Sequence, residues 1–178
     1  MTRWGMLLVA AAALGAAEND PNTWLTYGKN PQGWRYSEIR QINAANVAQL
    51  TPQWTFQTGV LGKFEATPLV FDRMMFVTGA DNHAWALDLL TGRQIWHYYK
   101  PMPRETSVCC GRVNRGFAVM GQKLFKVNLE SRLLAMDAKT GAVLWETEID
   151  DIKKGYSATV APLVAKNLVL LGIAGAEF

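Results

Sequence analysis

The chain has 178 residues, 18 Lys and Arg against 15 Asp and Glu, and a formal net charge of +3. No basic block stands out from that near-neutral balance, which argues against nucleic acid as a partner. Seven Trp and 15 Gly indicate a β-rich chain with many turns and large aromatic packing units. The first seventeen residues, MTRWGMLLVAAAALGAA, combine one early charge (Arg3), an apolar run over 4–14 and a small-residue end at Gly15, Ala16 and Ala17. That is the layout of a secretory signal peptide, and the run is short for a membrane anchor. Residues 1–17 are expected to be a leader, with the mature chain starting near Glu18 in an oxidising compartment where disulfides persist. Nothing later in the sequence is long and apolar enough to predict a transmembrane segment. Residues 18–50 form an N-terminal segment, and 51–178 carry a repeat.

The repeat shows in ALDLLTGRQIW (86–96) and AMDAKTGAVLW (135–145), which share Ala-x-Asp-x-x-Thr-Gly-x-x-x-Trp at a spacing of 49 residues. Asp88 and Asp137 can accept turn N–H bonds, while Gly92 and Gly141 supply positive φ. Trp96 and Trp145 then offer a large ring for packing between units. Each frame closes a longer unit. In the first, 66–71, 74–78, 84–88 and 93–98 are predicted strands; in the second, 116–120, 123–127, 132–137 and 142–147. A third unit opens with strands at 160–165 and 168–172. Trp54, 42 residues before Trp96, reads as the outer strand of an earlier unit. Four-stranded units at this period predict an all-β, partial β-propeller: one outer strand, two full blades and half of a third. That is the expected front part of a larger ring, an open arc of blades.

Polar residues fall at matching places in consecutive units. Glu65 precedes the innermost strand of the first, Arg115 that of the second and Thr159 that of the third. Glu65 plus 49 gives 114, one residue from Arg115, and Thr159 stands three before Pro162 as Glu65 stands three before Pro68. In a propeller this slot opens on the central axis, so a carboxylate, a guanidinium and a hydroxyl are expected to converge on one polar ligand. Taken singly, each would read as an ordinary loop charge or strand starter; the shared register carries the reading. His83 and His97 fall outside that register and read as structural or surface residues. Cys109 and Cys110, the only cysteines, sit just before Arg115. Adjacent Cα atoms lie about 3.8 Å apart, less than ordinary disulfides span, so the pair alone allows two reduced thiols or a strained bond.

With these residues in hand, the sequence resembles the pyrroloquinoline quinone (PQQ) dependent alcohol dehydrogenases, periplasmic eight-bladed propellers. The matching stretches are WLTYGKNPQGWRYSEIRQINAANVAQL, FEATPLV, CCGRVNRG, SATVAPLV, GIAGAEF and both Trp frames, the tryptophan-docking motifs of that family. The resemblance implies oxidation of a primary alcohol to an aldehyde by hydride transfer to PQQ. It also implies a bound Ca²⁺ or lanthanide and a cytochrome c type electron acceptor. It implies a disulfide between Cys109 and Cys110 laid against the quinone. Contacts to the quinone would come from Glu65, Arg115, Thr159, Gly175 and Ala176, and Glu177 would ligate the metal. Where relatives often carry Ser before Gly-Ala-Glu, this chain has Ala174, so one side-chain hydrogen bond is expected to be missing. The catalytic base and the other metal ligands are expected beyond residue 178, so these residues alone are not expected to oxidise alcohols. Two rival readings share the fold: a non-catalytic envelope scaffold, which would need neither the cysteine pair nor the aligned polar residues, and a PQQ sugar dehydrogenase, which generally lacks the adjacent cysteines.

Overall fold

Alternating apolar residues between short turns give the chain its strands, and the computed structural model describes them for residues 20–102, 108 and 111–175. The first unit is a four-stranded antiparallel sheet, β1 (Leu69–Phe71), β2 (Met74–Thr78), β3 (Ala84–Asp88) and β4 (Gln94–Tyr98), paired in that order. The second repeats it as β5 (Ala118–Met120), β6 (Lys123–Asn128), β7 (Arg132–Asp137) and β8 (Val143–Glu148). Both sheets carry a register shift between their third and fourth strands, at Ala86/Leu87 and at Ala135/Met136, so the repeat extends to its irregularities. The third unit contributes the hairpin of β10 (Leu163–Ala165) and β11 (Leu168–Leu170). A two-residue ladder between β9 (Tyr156–Ser157) and β12 (Ala174–Gly175), absent from the sequence reading, adds to it. The fold is a partial β-propeller, as expected. Among the described residues no helix is long and apolar enough to cross a membrane.

The turn chemistry follows the sequence. The Asp88 carboxylate accepts from the N–H groups of Leu90 and Thr91 and from the Thr91 hydroxyl. Asp137 does the same for Lys139 and Thr140. These bonds hold both carboxyls below the usual range, the threonine hydroxyl contributing most. The next residue is Gly92 (φ 67°) or Gly141 (φ 73°), and its missing side chain is what the neighbouring unit uses. A Cβ on Gly141 would lie 2.7 Å from the Trp96 ring, and one on Gly92 would lie 2.4 Å from the Trp54 ring. Trp96 Nε1–H donates to the Ala138 carbonyl at 2.8 Å, and Trp54 Nε1–H to the Leu89 carbonyl at 3.1 Å. Each tryptophan thus docks on the Thr-Gly turn of the following unit. Trp145, third in the series, is 42% exposed.

Two expectations need correction. No strand is assigned around Trp54; its ring docks as an outer-strand tryptophan should, while its backbone lies outside any described ladder. The innermost strands are also shorter than predicted, starting at Leu69, Ala118 and Leu163. The reason is a change of hydrogen-bonding partner. Pro68 and Pro162 have no N–H, and the backbone before them bonds sideways. Thr67 N–H donates to the Arg115 carbonyl (3.2 Å) and Arg115 N–H to the Thr159 carbonyl (3.0 Å).

The core lies between units. Leu69, Phe71, Phe76 and Trp96 of the first pack with Phe117, Leu124, Leu134 and Met136 of the second. Phe125, Leu133 and Ala135 of the second meet Val164, Val169 and Leu171 of the third. The N-terminal segment joins the inner edge, where Trp24 bridges Val70 of β1 through two backbone hydrogen bonds.

Candidate functional site

The sideways hydrogen bonds place the backbones of Thr67, Arg115 and Thr159 in one row across three consecutive units, and the polar side chains follow. Arg115 occupies the middle. Its Nη2 lies 2.9 Å from a Glu65 carboxylate oxygen and its Nη1 lies 2.5 Å from the Thr159 hydroxyl. The three residues singled out by the repeat register are therefore brought together. The Glu65 and Arg115 side chains are each 38% exposed, so the cluster opens on one side. An ion pair this exposed contributes well under about 1 kcal/mol to stability. Its consequence is positional: the guanidinium is fixed by groups from both flanking units. A guanidinium has five N–H donors, more than these two contacts require.

Two residues that support the cluster were not singled out by sequence. Asn114, the true counterpart of Glu65 in the 49-residue register, is buried. Its amide donates to the Val127 carbonyl, its oxygen accepts from Gly116 N–H, and its own carbonyl accepts from the Thr78 hydroxyl. Asn114 anchors the loop through these bonds, and its neighbour Arg115 reaches Glu65 and Thr159. The 49-residue offset lands on position 114, and Arg115 is one residue out of that register. Arg35, from the N-terminal segment, donates to the Thr67 hydroxyl at 3.0 Å and lies over the Tyr27 ring at 4.7 Å. It lies outside the repeat, so no register could find it.

Gly175 is buried in β12 with φ 100°. A Cβ there would approach the Gly155 carbonyl oxygen to 2.0 Å, so the residue must be glycine for β12 to lie against β9. That ladder ends two residues before Thr159, which ties Gly175 to the same unit. Cys109, Cys110, Ala176 and Glu177 lie outside the described residues. A cavity of about 230 Å³ adjoins Arg115, walled by Tyr27, Pro31 and Val160 to Leu163. A larger recess of about 350 Å³ lies apart from the cluster, where Lys100, Arg132, Glu130, Glu146 and Glu148 pair among themselves.

Comparison with known proteins gives the geometry its context. Residues 24–175 match the family described as PQQ, glucose/ethanol/alcohol dehydrogenase, beta-propeller domain. The chain is 42% identical over 166 residues to the lanthanide-dependent methanol dehydrogenase of Methylacidiphilum fumariolicum, covering 90% of this chain and 27% of that protein. It is also 42% identical over 168 residues to methanol dehydrogenase [cytochrome c] subunit 1 of Paracoccus denitrificans, covering 89% of this chain and 27% of that protein. Among solved structures, a europium-containing methanol dehydrogenase superposes with a TM-score of 0.86 at 40% identity, over 94% of this chain and 30% of that one. The chain thus spans little more than a quarter of the length of the curated relatives it matches. With a family match over most of its length and a superposable fold, the chain belongs to the PQQ-dependent dehydrogenase β-propeller family.

Proposed function

We propose that this chain supplies the quinone-binding edge of a PQQ-dependent dehydrogenase that oxidises primary alcohols. The observation that carries the reading is the Arg115 guanidinium held between Glu65 and Thr159 at the inner edge of three consecutive units. The residues fit the group. PQQ carries three carboxylates and an ortho-quinone, and a fixed guanidinium with unspent donors recognises carboxylate in bidentate fashion. Thr159 can donate to a carbonyl, and Arg35 adds a second cation behind Thr67. When bound, the quinone supplies the two-electron acceptor, and a Ca²⁺ or lanthanide beside it would polarise its carbonyl. The protein's part would be to hold and orient the quinone through these residues. Arg115 binds the acid groups, Glu65 orients Arg115, and the backbone row through Thr67 and Thr159 keeps both in place.

The remaining assignments rest on the family. Cys109 and Cys110 would be joined and face the ring, Gly175 and Ala176 would contact it through their backbones, and Glu177 would ligate the metal. Residues 1–17 would direct export to the periplasm, and a cytochrome c would take the electrons. The alcohol rather than the sugar branch is favoured by the adjacent cysteines and by the methanol dehydrogenases among the relatives. A scaffold role would leave the row of Glu65, Arg115 and Thr159 without a purpose.

A chimera tests the proposal. This chain replaces the aligned residues of the Methylacidiphilum enzyme, and PQQ content and dye-linked alcohol oxidation are measured. The chimera should retain both. Arg115→Ala should lower PQQ occupancy at least tenfold at limiting cofactor, with Arg115→Lys in between. Full occupancy in Arg115→Ala would remove Arg115 from the site.

A further inference from the structure

His83 and His97 are the chain's only histidines, and the structure pairs them. His83 Nδ1 lies 2.8 Å from His97 Nε2, and the ring planes differ by 3° with centroids 5.1 Å apart. That separation with parallel rings is a head-to-head contact, in which one nitrogen donates and the other accepts. A neutral pair has one proton between the facing nitrogens, and so does a singly protonated pair. A doubly protonated pair has no acceptor left.

We propose that His83 and His97 form a single-proton latch that fastens the β2–β3 turn to the end of β4 and opens when both rings are cationic. The latch is built into its surroundings. Buried Trp85 lies parallel to both rings, within 6° of His83 and 3° of His97. Tyr99 stacks on His83 at 4.1 Å. Burial and the facing partner lower the pKa of His83, and burial lowers that of His97. The charged groups around His83 oppose one another: Asp81 favours its cation, while Lys126 of β6 disfavours it. Asp81 is itself engaged by Arg112 at 3.0 Å.

The latch matters because of what the turn holds. Gly79 N–H donates to the His83 carbonyl, and Asp81 N–H donates to the Arg112 carbonyl. Asp81 and Asn82 both sit at positive φ, 53° and 67°, a left-handed turn conformation that Asp and Asn accept more readily than most residues. Opening the histidine pair therefore loosens the turn and, through Asp81, the backbone of Arg112, three residues before Arg115. The inference stands independently of the cofactor reading.

Long-range ¹H–¹⁵N spectra of the ¹⁵N-labelled chain across pH test it directly, since every imidazole signal belongs to the pair. Wild type should titrate in two coupled steps at least one pH unit apart, and H97Q, whose amide can present either N–H or C=O, in one. As the pH falls toward the lower step, exchange of the Gly79 and Asp81 amides, corrected for intrinsic rate, should rise by up to about tenfold per pH unit in wild type and level off below that step. It should stay flat in H97Q and in H83Q, both checked for folding by the amides of β6 and β7. Two independent, superimposable histidine titrations would overturn the latch, and so would the same acid-driven exchange in wild type and both variants.

Discussion

Lys126 gives the most quantitative test of the fold's electrostatics. It is fully buried in β6, donates to Asn128 Oδ1, and lies over the Tyr98 ring at 5.5 Å. Burial drives its pKa from 10.5 to about 7, with Glu130 pulling it up and Lys100 pushing it down. The folded state therefore prefers a neutral amine that still donates its hydrogen bond. Between pH 7 and 10.5 the unfolded chain binds the proton that the folded chain has released, so stability rises with pH across that window and is flat below it. Over the three units from pH 7 to pH 10 the gain is roughly 4 kcal/mol. Lys126→Met removes the titration while keeping most of the volume, and leaves Asn128 Oδ1 short of a donor at a cost of about 1–3 kcal/mol. Urea unfolding of both proteins at pH 7 and pH 10, subtracted pairwise, cancels every other titrating group. Near pH 7 the variant should trail by about that hydrogen-bond cost; at pH 10 the gap should be wider by several kcal/mol. A difference that does not change with pH would refute the burial argument, because a solvated lysine titrates alike in both states.

Further outcomes follow from the docking turns and from the family assignments. Trp96→Phe strands the buried Ala138 carbonyl and should cost about 1–3 kcal/mol in chemical unfolding, whereas Trp145→Phe, at a residue 42% exposed, should cost less than about 1 kcal/mol. Peptide mass spectrometry without reduction should find Cys109 and Cys110 bonded to each other in protein recovered from the periplasm; two alkylatable thiols would end that assignment. In the chimera, Glu177→Ala should lower metal content and alcohol oxidation together, and metal content equal to the parent's would place the ligand elsewhere.

The repeat made most of the architecture legible. A shared frame with a fixed Asp, Gly and Trp specifies a turn, its positive-φ residue and the ring that docks on it, so the strands came out within a few residues. The inner strands were overextended because alternation over 66–71 looks the same whether the N–H groups pair within a sheet or across units. Only the prolines at 68 and 162 hinted at the difference. The Trp54 segment misled for a related reason: docking is a property of the side chain and does not require its backbone to join a ladder. At the candidate site, Glu65 and Thr159 share a register relative to Pro68 and Pro162, and Arg115 stands one residue from it. Asn114 is not legible as a supporting residue, because the sequence does not show whether an asparagine in that slot is buried or faces a ligand. Arg35 reaches the site from a segment without repeats, and the partnership of His83 with His97 across a β-ladder has no sequence spacing to announce it.

The charge balance at the inner edge bears on what can complete it. Arg115 is matched by Glu65 at 2.9 Å, so that pair offers donors in a fixed geometry with little net charge. Arg35 adds one positive charge, already partnered through the Thr67 hydroxyl. A ligand with three carboxylates would be poorly neutralised by this edge alone, and burying unpaired carboxylate costs several kcal/mol per ion. The proposed cofactor therefore needs further positive charge on its other side, which a divalent or trivalent ion held by Glu177 and by other parts of the propeller would provide. Glu65 then has a second purpose beyond orienting Arg115. By cancelling the nearest cation it would keep the edge from holding an arbitrary anion tightly, so that binding of the proposed cofactor would depend on shape, hydrogen-bond placement and metal together. The same three-unit row that is weak as a stabilising device would in this way discriminate among ligands under the proposed function.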